Sequence, residues 1–180
     1  LKMGSNSDML KVKNPNEKFR LVSINGGKMN KEKTTRVIDY FDELFPDAYC
    51  ELNHETDFQL LVAVMLSAQT TDKKVNQLTE TLFKKYPDVE TMAKADISEL
   101  QQDIKSIGLY RNKAKNLLAM SKALLENFDG KVPSDQKELE SLPGVGRKTA
   151  NVVRSVAFDI PAFAVDTHVE RISKRLGFAK

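Results

Sequence analysis

Three observations predict an all-α fold. Apolar residues recur three and four positions apart in one segment after another, and no stretch alternates apolar with polar residues as a half-buried strand would. Thr, Asp or another capping residue stands before most of these segments, and Gly or Pro follows several of them. One segment, Phe58 to Ser67, is apolar nearly all round and so belongs at the centre of a helical domain.

Residues 1–28 are polar and unpatterned (Gly4-Ser-Asn-Ser-Asp8, Asn25-Gly-Gly-Lys28) and read as a disordered tail, with Met29 as the start of the structured chain and the expected native start. Lys31 to Phe45 reads as an amphipathic helix with Val37, Ile38, Phe41, Leu44 and Phe45 as its buried stripe and Pro46 past its end. The following loop, Asp47 to Thr56, holds His54, which has no partner histidine at ligand spacing and reads as structural. Thr56 or Asp57 caps the apolar helix Phe58 to Ser67. Thr71 or Asp72 caps the next, Lys73 to Lys85, across the polar turn Ser67-Ala-Gln-Thr-Thr-Asp72. Gln69 in that turn reads either as a solvated loop residue or as a polar side chain carried to the mouth of a site by a buried helix.

Short helices follow at Asp88 to Ala95 and Ile97 to Ile104, the second capped by Asp96. Gly108 breaks the chain before a long helix, Arg111 to Phe128, whose inward residues are Ala114, Leu117, Leu118, Ser121, Leu124 and Leu125. Arg111, Lys113 and Lys115 read as a solvated face, with a phosphate-facing set as the alternative. Asp135 with Glu138 makes a capping-box-like start for a short helix. Arg147 to Phe158 comes next, with Ala150, Val153, Ala157 and Val152, Val156 on adjoining apolar stripes and Pro161 beyond its end. Asp166 or Thr167 caps the last helix, Val169 to Leu176, and Gly177 stops it.

Composition sets bounds. A chain of 180 residues, 41% hydrophobic and 29% charged, has the balance of a soluble globular protein of one domain or little more. A formal charge of +3 permits a nucleic-acid partner without demanding one. The single cysteine, Cys50, excludes an internal disulfide and a cysteine-cluster metal site, so no metal site is expected. The longest apolar run, Leu60 to Leu66, is too short to span a membrane, and the N-terminus has no apolar signal segment. The expectation is a cytoplasmic monomer with no membrane partner.

The chemistry concentrates in Ser141-Leu-Pro-Gly-Val-Gly-Arg-Lys-Thr-Ala-Asn-Val-Val-Arg154 and Val165-Asp-Thr-His168. Pro143 and Gly144 make a tight turn, and Gly146 opens a helix whose free N–H groups and positive dipole end form an anion site. The stretch is not a Walker P-loop, because the Gly-Lys-Thr/Ser ending is absent. Lys148 lies in the first helical turn beside Arg147, where it reads as a plain phosphate contact or as an amine nucleophile. Asp166 reads as an N-cap, and an N-cap carboxylate is rigidly aimed, so a catalytic role is compatible.

Leu142-Pro-Gly-Val-Gly-Arg-Lys-Thr-Ala-Asn-Val-Val153 with Val165-Asp-Thr-His168 resembles the helix–hairpin–helix and catalytic Asp segment of the endonuclease III family of DNA glycosylase/AP lyases. Leu66-Ser-Ala-Gln-Thr-Thr-Asp72 and Ile107-Gly-Leu-Tyr110 are similar to two further stretches of that family, in order, and the likeness spans roughly Met29 to Ala179. It implies that Lys148 is the amine nucleophile and Asp166 the carboxylate that assists it. The backbone of Gly144, Val145 and Gly146, with Arg147 beside it, would meet a DNA phosphate. Gln69 and Leu109 would fill the space of an extruded nucleotide. Related adenine glycosylases resemble Gly-Arg-Ser rather than Gly-Arg-Lys at this place.

The implied function is base-excision repair: removal of oxidised pyrimidines from duplex DNA and nicking of the abasic site by β-elimination through a lysine Schiff base. The implied partner is double-stranded DNA with a damaged base or abasic site, and the implied location is nucleoid-associated. The alternatives are a monofunctional glycosylase, or a DNA-binding fragment left inactive by truncation. The implied domains are a six-helix barrel over 57–164, with an incomplete second domain built from 29–56 and 165–180. The family implies a 4Fe-4S cluster, but its ligand cysteines are absent here, so the chain resembles one shortened before that segment. The helices Lys31 to Phe45 and Val169 to Leu176 are then expected to be under-packed.

Overall fold

The computed structural model describes residues 31–46 and 49–179; the reading of 1–28 as a tail lies outside these residues. The described residues are all-α, with nine helices and no strand: α1 (Lys31–Leu44), α2 (Asp57–Ser67), α3 (Asp72–Lys85), α4 (Val89–Ala93), α5 (Ile97–Asp103), α6 (Tyr110–Phe128), α7 (Gln136–Ser141), α8 (Arg147–Ala157) and α9 (Thr167–Leu176). Contacts divide the chain into two units. Ala48–Val165 carries α2 to α8, while α1 and α9 fall in the other.

The larger unit is built around α2. Every residue from Phe58 to Leu66 is buried, which is what a sequence apolar on all sides demands. Helices α3, α6 and α8 pack against it, α4 and α5 pack on α6, and α7 packs on α8. Gln59, the one polar residue in the buried run, accepts a hydrogen bond from the Glu55 N–H at 2.8 Å, so its burial leaves no orphan. The segment before α2 is fastened to α3. Asn76 donates to the Glu51 carbonyl at 2.8 Å and accepts from the Asn53 N–H at 2.9 Å.

The starts of these helices follow the sequence closely. Thr56 accepts from the Gln59 N–H, and Asp96 from the Ser98 and Glu99 N–H groups. Asp88 and Thr91 complete a reciprocal capping box. Asp135 accepts from the Lys137 N–H at 2.8 Å and the Glu138 N–H at 3.1 Å. Each carboxylate satisfies donors that would otherwise have no intrahelical partner.

Two expectations need correcting. The stripe assigned to α1 is mostly exposed: only Val37 is buried, whereas Ile38 is 50% exposed, Phe41 36% and Phe45 61%. Periodicity reports that a helix is amphipathic, not that a surface is present to cover it. Phe41 and Phe45 instead face each other, with ring centroids 6.5 Å apart. Helix α9 has no buried residue, so both helices are under-packed, as expected. The second correction concerns α6. Lys113, placed on a solvated face, is buried, while Arg111 and Lys115 are exposed.

Hydrogen bonds from the Glu138 and Lys137 N–H groups hold the Asp135 carboxyl below the usual carboxylate range. Its folded value lies below its unfolded one. Its stabilisation is therefore complete above about pH 4 and is lost as pH falls through the folded value. Asp135→Ala is expected to lower the melting temperature near pH 7, with the gap closing in acid. A gap that stays constant down to about pH 2 in thermal melts would contradict this role.

Candidate nucleic-acid interface

The hairpin between α7 and α8 is set by two residues. Pro143 and Gly144 are the central pair of a turn closed by the Val145 N–H donating to the Leu142 carbonyl at 3.0 Å. Gly144 has φ +79°, the left-handed value that the third position of a type II turn requires. Its missing side chain matters as well. A Cβ there would stand 2.7 Å from Cβ and 2.9 Å from Cγ of Asn116 on α6, so the hairpin lies against that helix. Leu142 and Val145 are buried and anchor the turn, while Gly144 and Gly146 stay exposed. Arg154 on α8 donates to the Ser134 carbonyl at 3.2 Å and to the Gln136 side chain at 3.3 Å, which fastens α8 to the start of α7.

Gly146 is the N-cap of α8 and supplies no side-chain acceptor. The first N–H groups of α8 therefore face outward unmet by a cap, at the positive end of the helix dipole. Arg147 and Lys148 occupy the first turn, both exposed. Backbone donors, a helix terminus and two cations make an anion site suited to a phosphate.

The two candidate gap-filling residues share an unusual backbone. Gln69 has φ 56° and Leu109 φ 59°, although neither is glycine. Both side chains are exposed, Leu109 by 57%. The sequence reading gave the break before α6 to Gly108, yet its neighbour Leu109 takes the left-handed conformation and serves as N-cap of α6. Such a conformation costs a residue with a Cβ ~1–2 kcal/mol, and surrounding structure must hold it.

That structure is the first two turns of α6. The buried Lys113 ammonium donates to the Leu66 carbonyl at 2.9 Å, the Ala68 carbonyl at 2.7 Å and the Thr70 hydroxyl at 3.0 Å. Its own N–H donates to the Leu109 carbonyl at 3.0 Å. Burial pushes the Lys113 ammonium pKa below its ordinary value. Three turns of the chain thus meet on one helix end: the Gln69 turn and Leu109 through Lys113, and the hairpin through Asn116. Sequence reasoning missed Lys113 and Asn116. The available signal was periodicity, because Lys113 lies on the stripe continued by Leu117, Met120 and Leu124, all buried.

The other candidates resolve more simply. Asp166 falls in the second unit and caps α9, accepting from the His168 N–H at 3.0 Å and the Val169 N–H at 2.8 Å. His54 places Nδ1 2.7 Å from the Leu52 carbonyl, so that nitrogen carries the proton and the ring is a structural strut. Among the described residues no cluster of His, Cys, Asp or Glu could hold a metal ion. A 4Fe-4S cluster takes four cysteine thiolates as ligands. This sequence supplies one, Cys50, half-buried against the apolar core, so the residues present do not fit that group. No helix among the described residues is long and apolar enough to cross a membrane.

The family model of the HhH-GPD superfamily of base excision DNA repair proteins matches residues 62–180 of this all-α chain. The chain is 57% identical to endonuclease III of Bacillus subtilis (strain 168) over 152 residues, 84% of this chain and 69% of that protein. It superposes with a TM-score of 0.81 on a non-covalent endonuclease III–DNA complex, at 53% identity over 84% of this chain and 71% of the other. A trapped endonuclease III–DNA covalent intermediate, an estranged-adenine complex, matches with the same TM-score and coverage at 54% identity. The chain belongs, within that superfamily, to the endonuclease III family of base-excision repair glycosylases.

Gly144→Ala forces both the left-handed backbone and the overlap with Asn116, so it is expected to destabilise the protein by ~1–2 kcal/mol. It should also weaken binding to duplex DNA. Unchanged urea midpoint and unchanged affinity together would remove the hairpin from the interface.

Proposed function

We propose that this chain is a bifunctional DNA N-glycosylase and abasic-site lyase acting on oxidised pyrimidines in duplex DNA. The observation that carries the reading is Lys148: an exposed amine in the first turn of α8, beside the hairpin's anion site. A phosphate held on the Gly144–Gly146 backbone would bring the adjoining sugar to that amine. The covalent DNA intermediate captured for a protein 54% identical supports an enzyme nucleophile of this kind.

The damaged nucleotide is turned out of the duplex, at a cost of a few kcal/mol, roughly, in lost stacking and pairing. Gln69 and Leu109 enter the gap and offset part of that cost. The neutral Lys148 Nζ attacks C1′, the N-glycosidic bond breaks, and the base leaves with the bonding pair and is protonated. Asp166 accepts a proton from the amine or stabilises the positive charge developing on the sugar. Loss of a proton from nitrogen and opening of the sugar ring give the Schiff base. This acidifies C2′, whose proton is removed as the C3′–O bond breaks and the 3′ phosphate departs. Backbone phosphate contacts carry no sequence information, which suits an enzyme that acts wherever damage lies.

Borohydride reduction with duplex DNA containing an abasic site tests the lyase. The expected result is a covalent adduct that Lys148→Ala reduces on the order of 100-fold or more, the scale lost when a nucleophile is removed. An equal adduct in the variant would assign the amine elsewhere. No adduct by the unaltered protein, with DNA bound, would leave a monofunctional or inactive chain.

A further inference from the structure

We propose that Lys113 is the positioning residue for the gap-filling pair: one buried side chain and its own backbone N–H set the Gln69 turn and the Leu109 turn as a single unit. This rests on Gln69 and Leu109 filling the gap, but not on the amine chemistry of Lys148.

The geometry is specific. An ammonium has three donors, and Lys113 spends them on three oxygens, at 2.9, 2.7 and 3.0 Å. Two of these are carbonyls at and just beyond the C-terminus of α2, where the helix dipole is negative and the last carbonyls lack intrahelical partners. The third, the Thr70 hydroxyl, lies on the far side of Gln69, so Ala68 and Thr70 are both pinned and the residue between them is carried in the left-handed region. At the other end, the Lys113 N–H donates to the carbonyl of Leu109, the second left-handed residue. Both turns are thus tied to the same end of α6, so a shift of that helix end moves them together.

Capping the buried end of α2 would by itself be met by a neutral donor. Burying a charged group with only neutral acceptors carries a desolvation cost, and Lys113 is 7% exposed with its pKa lowered by that burial. A flat guanidinium would not reproduce the ammonium's divergent bonds, so arginine is not equivalent here.

The test uses a duplex with 2-aminopurine opposite a tetrahydrofuran abasic analogue, which cannot form a Schiff base. Entry of Gln69 and Leu109 unstacks the aminopurine and raises its fluorescence. Lys113→Met, close in length and uncharged, is expected to lower the fluorescence gain at saturating protein to near that of the Gln69→Ala/Leu109→Ala variant. Adding Lys113→Met to that double variant should change nothing further. Thr70→Val, which removes one acceptor and keeps the shape, should give a smaller loss, and it carries the test where Lys113→Met does not fold. A folded Lys113 variant with the full gain at saturation, melting earlier but signalling normally, would reduce Lys113 to a stability role and overturn the proposal. The same holds for Thr70→Val if Lys113→Met does not fold. An unaltered protein that binds the duplex with no fluorescence gain would overturn the gap-filling reading itself, whatever the adduct experiment gives.

Discussion

A helix sealed on every side has nowhere to send its last carbonyls. Helix α2 is that case: its buried run reaches Leu66, which is fully inside. An unmet buried carbonyl costs roughly 1–3 kcal/mol, so the fold must bring a donor to that end. Lys113 is that donor, and it can reach only if the start of α6 lies across the end of α2. The same placement fixes the turn after α2, the turn before α6, and, through Asn116, the hairpin before α8. Satisfying one helix terminus therefore assembles the face that carries the candidate DNA contacts.

That face divides labour by chemistry. The hairpin offers backbone donors and a helix dipole, which recognise any phosphate. Gln69 and Leu109 offer one amide and one apolar side chain on strained backbones, which suits insertion between bases better than recognition of one base. Lys148 stands exposed in the first turn of α8, next to the anion site, and needs no bound metal for the proposed step.

Much of this was legible in the sequence because it rests on local rules. Thr56, Asp96, Asp135 and Asp166 cap the helices that follow them, as short oxygen-bearing side chains before apolar periods should. Gly144 was legible because a proline–glycine turn demands positive φ. What was not legible depends on partners distant in sequence. Ile38, Phe41 and Phe45 form a helical stripe that is largely exposed. Leu109 rather than Gly108 takes the left-handed backbone, its carbonyl accepting the first helical hydrogen bond of α6 from the Lys113 N–H. Lys113 itself defeats any rule that sends lysine to solvent, since its acceptors lie more than forty residues upstream (47, 45 and 43 positions).

The central claim is that the hairpin, the Gln69 turn and Leu109 form one DNA-receiving face held on the start of α6. A crystal structure of the protein with a duplex carrying a non-cleavable abasic analogue tests it most directly. Phosphate oxygens are expected on the N–H groups following Gly144, with the Gln69 and Leu109 side chains inside the base stack at the lesion. A duplex seated on another face, or both side chains left outside the stack, would contradict it.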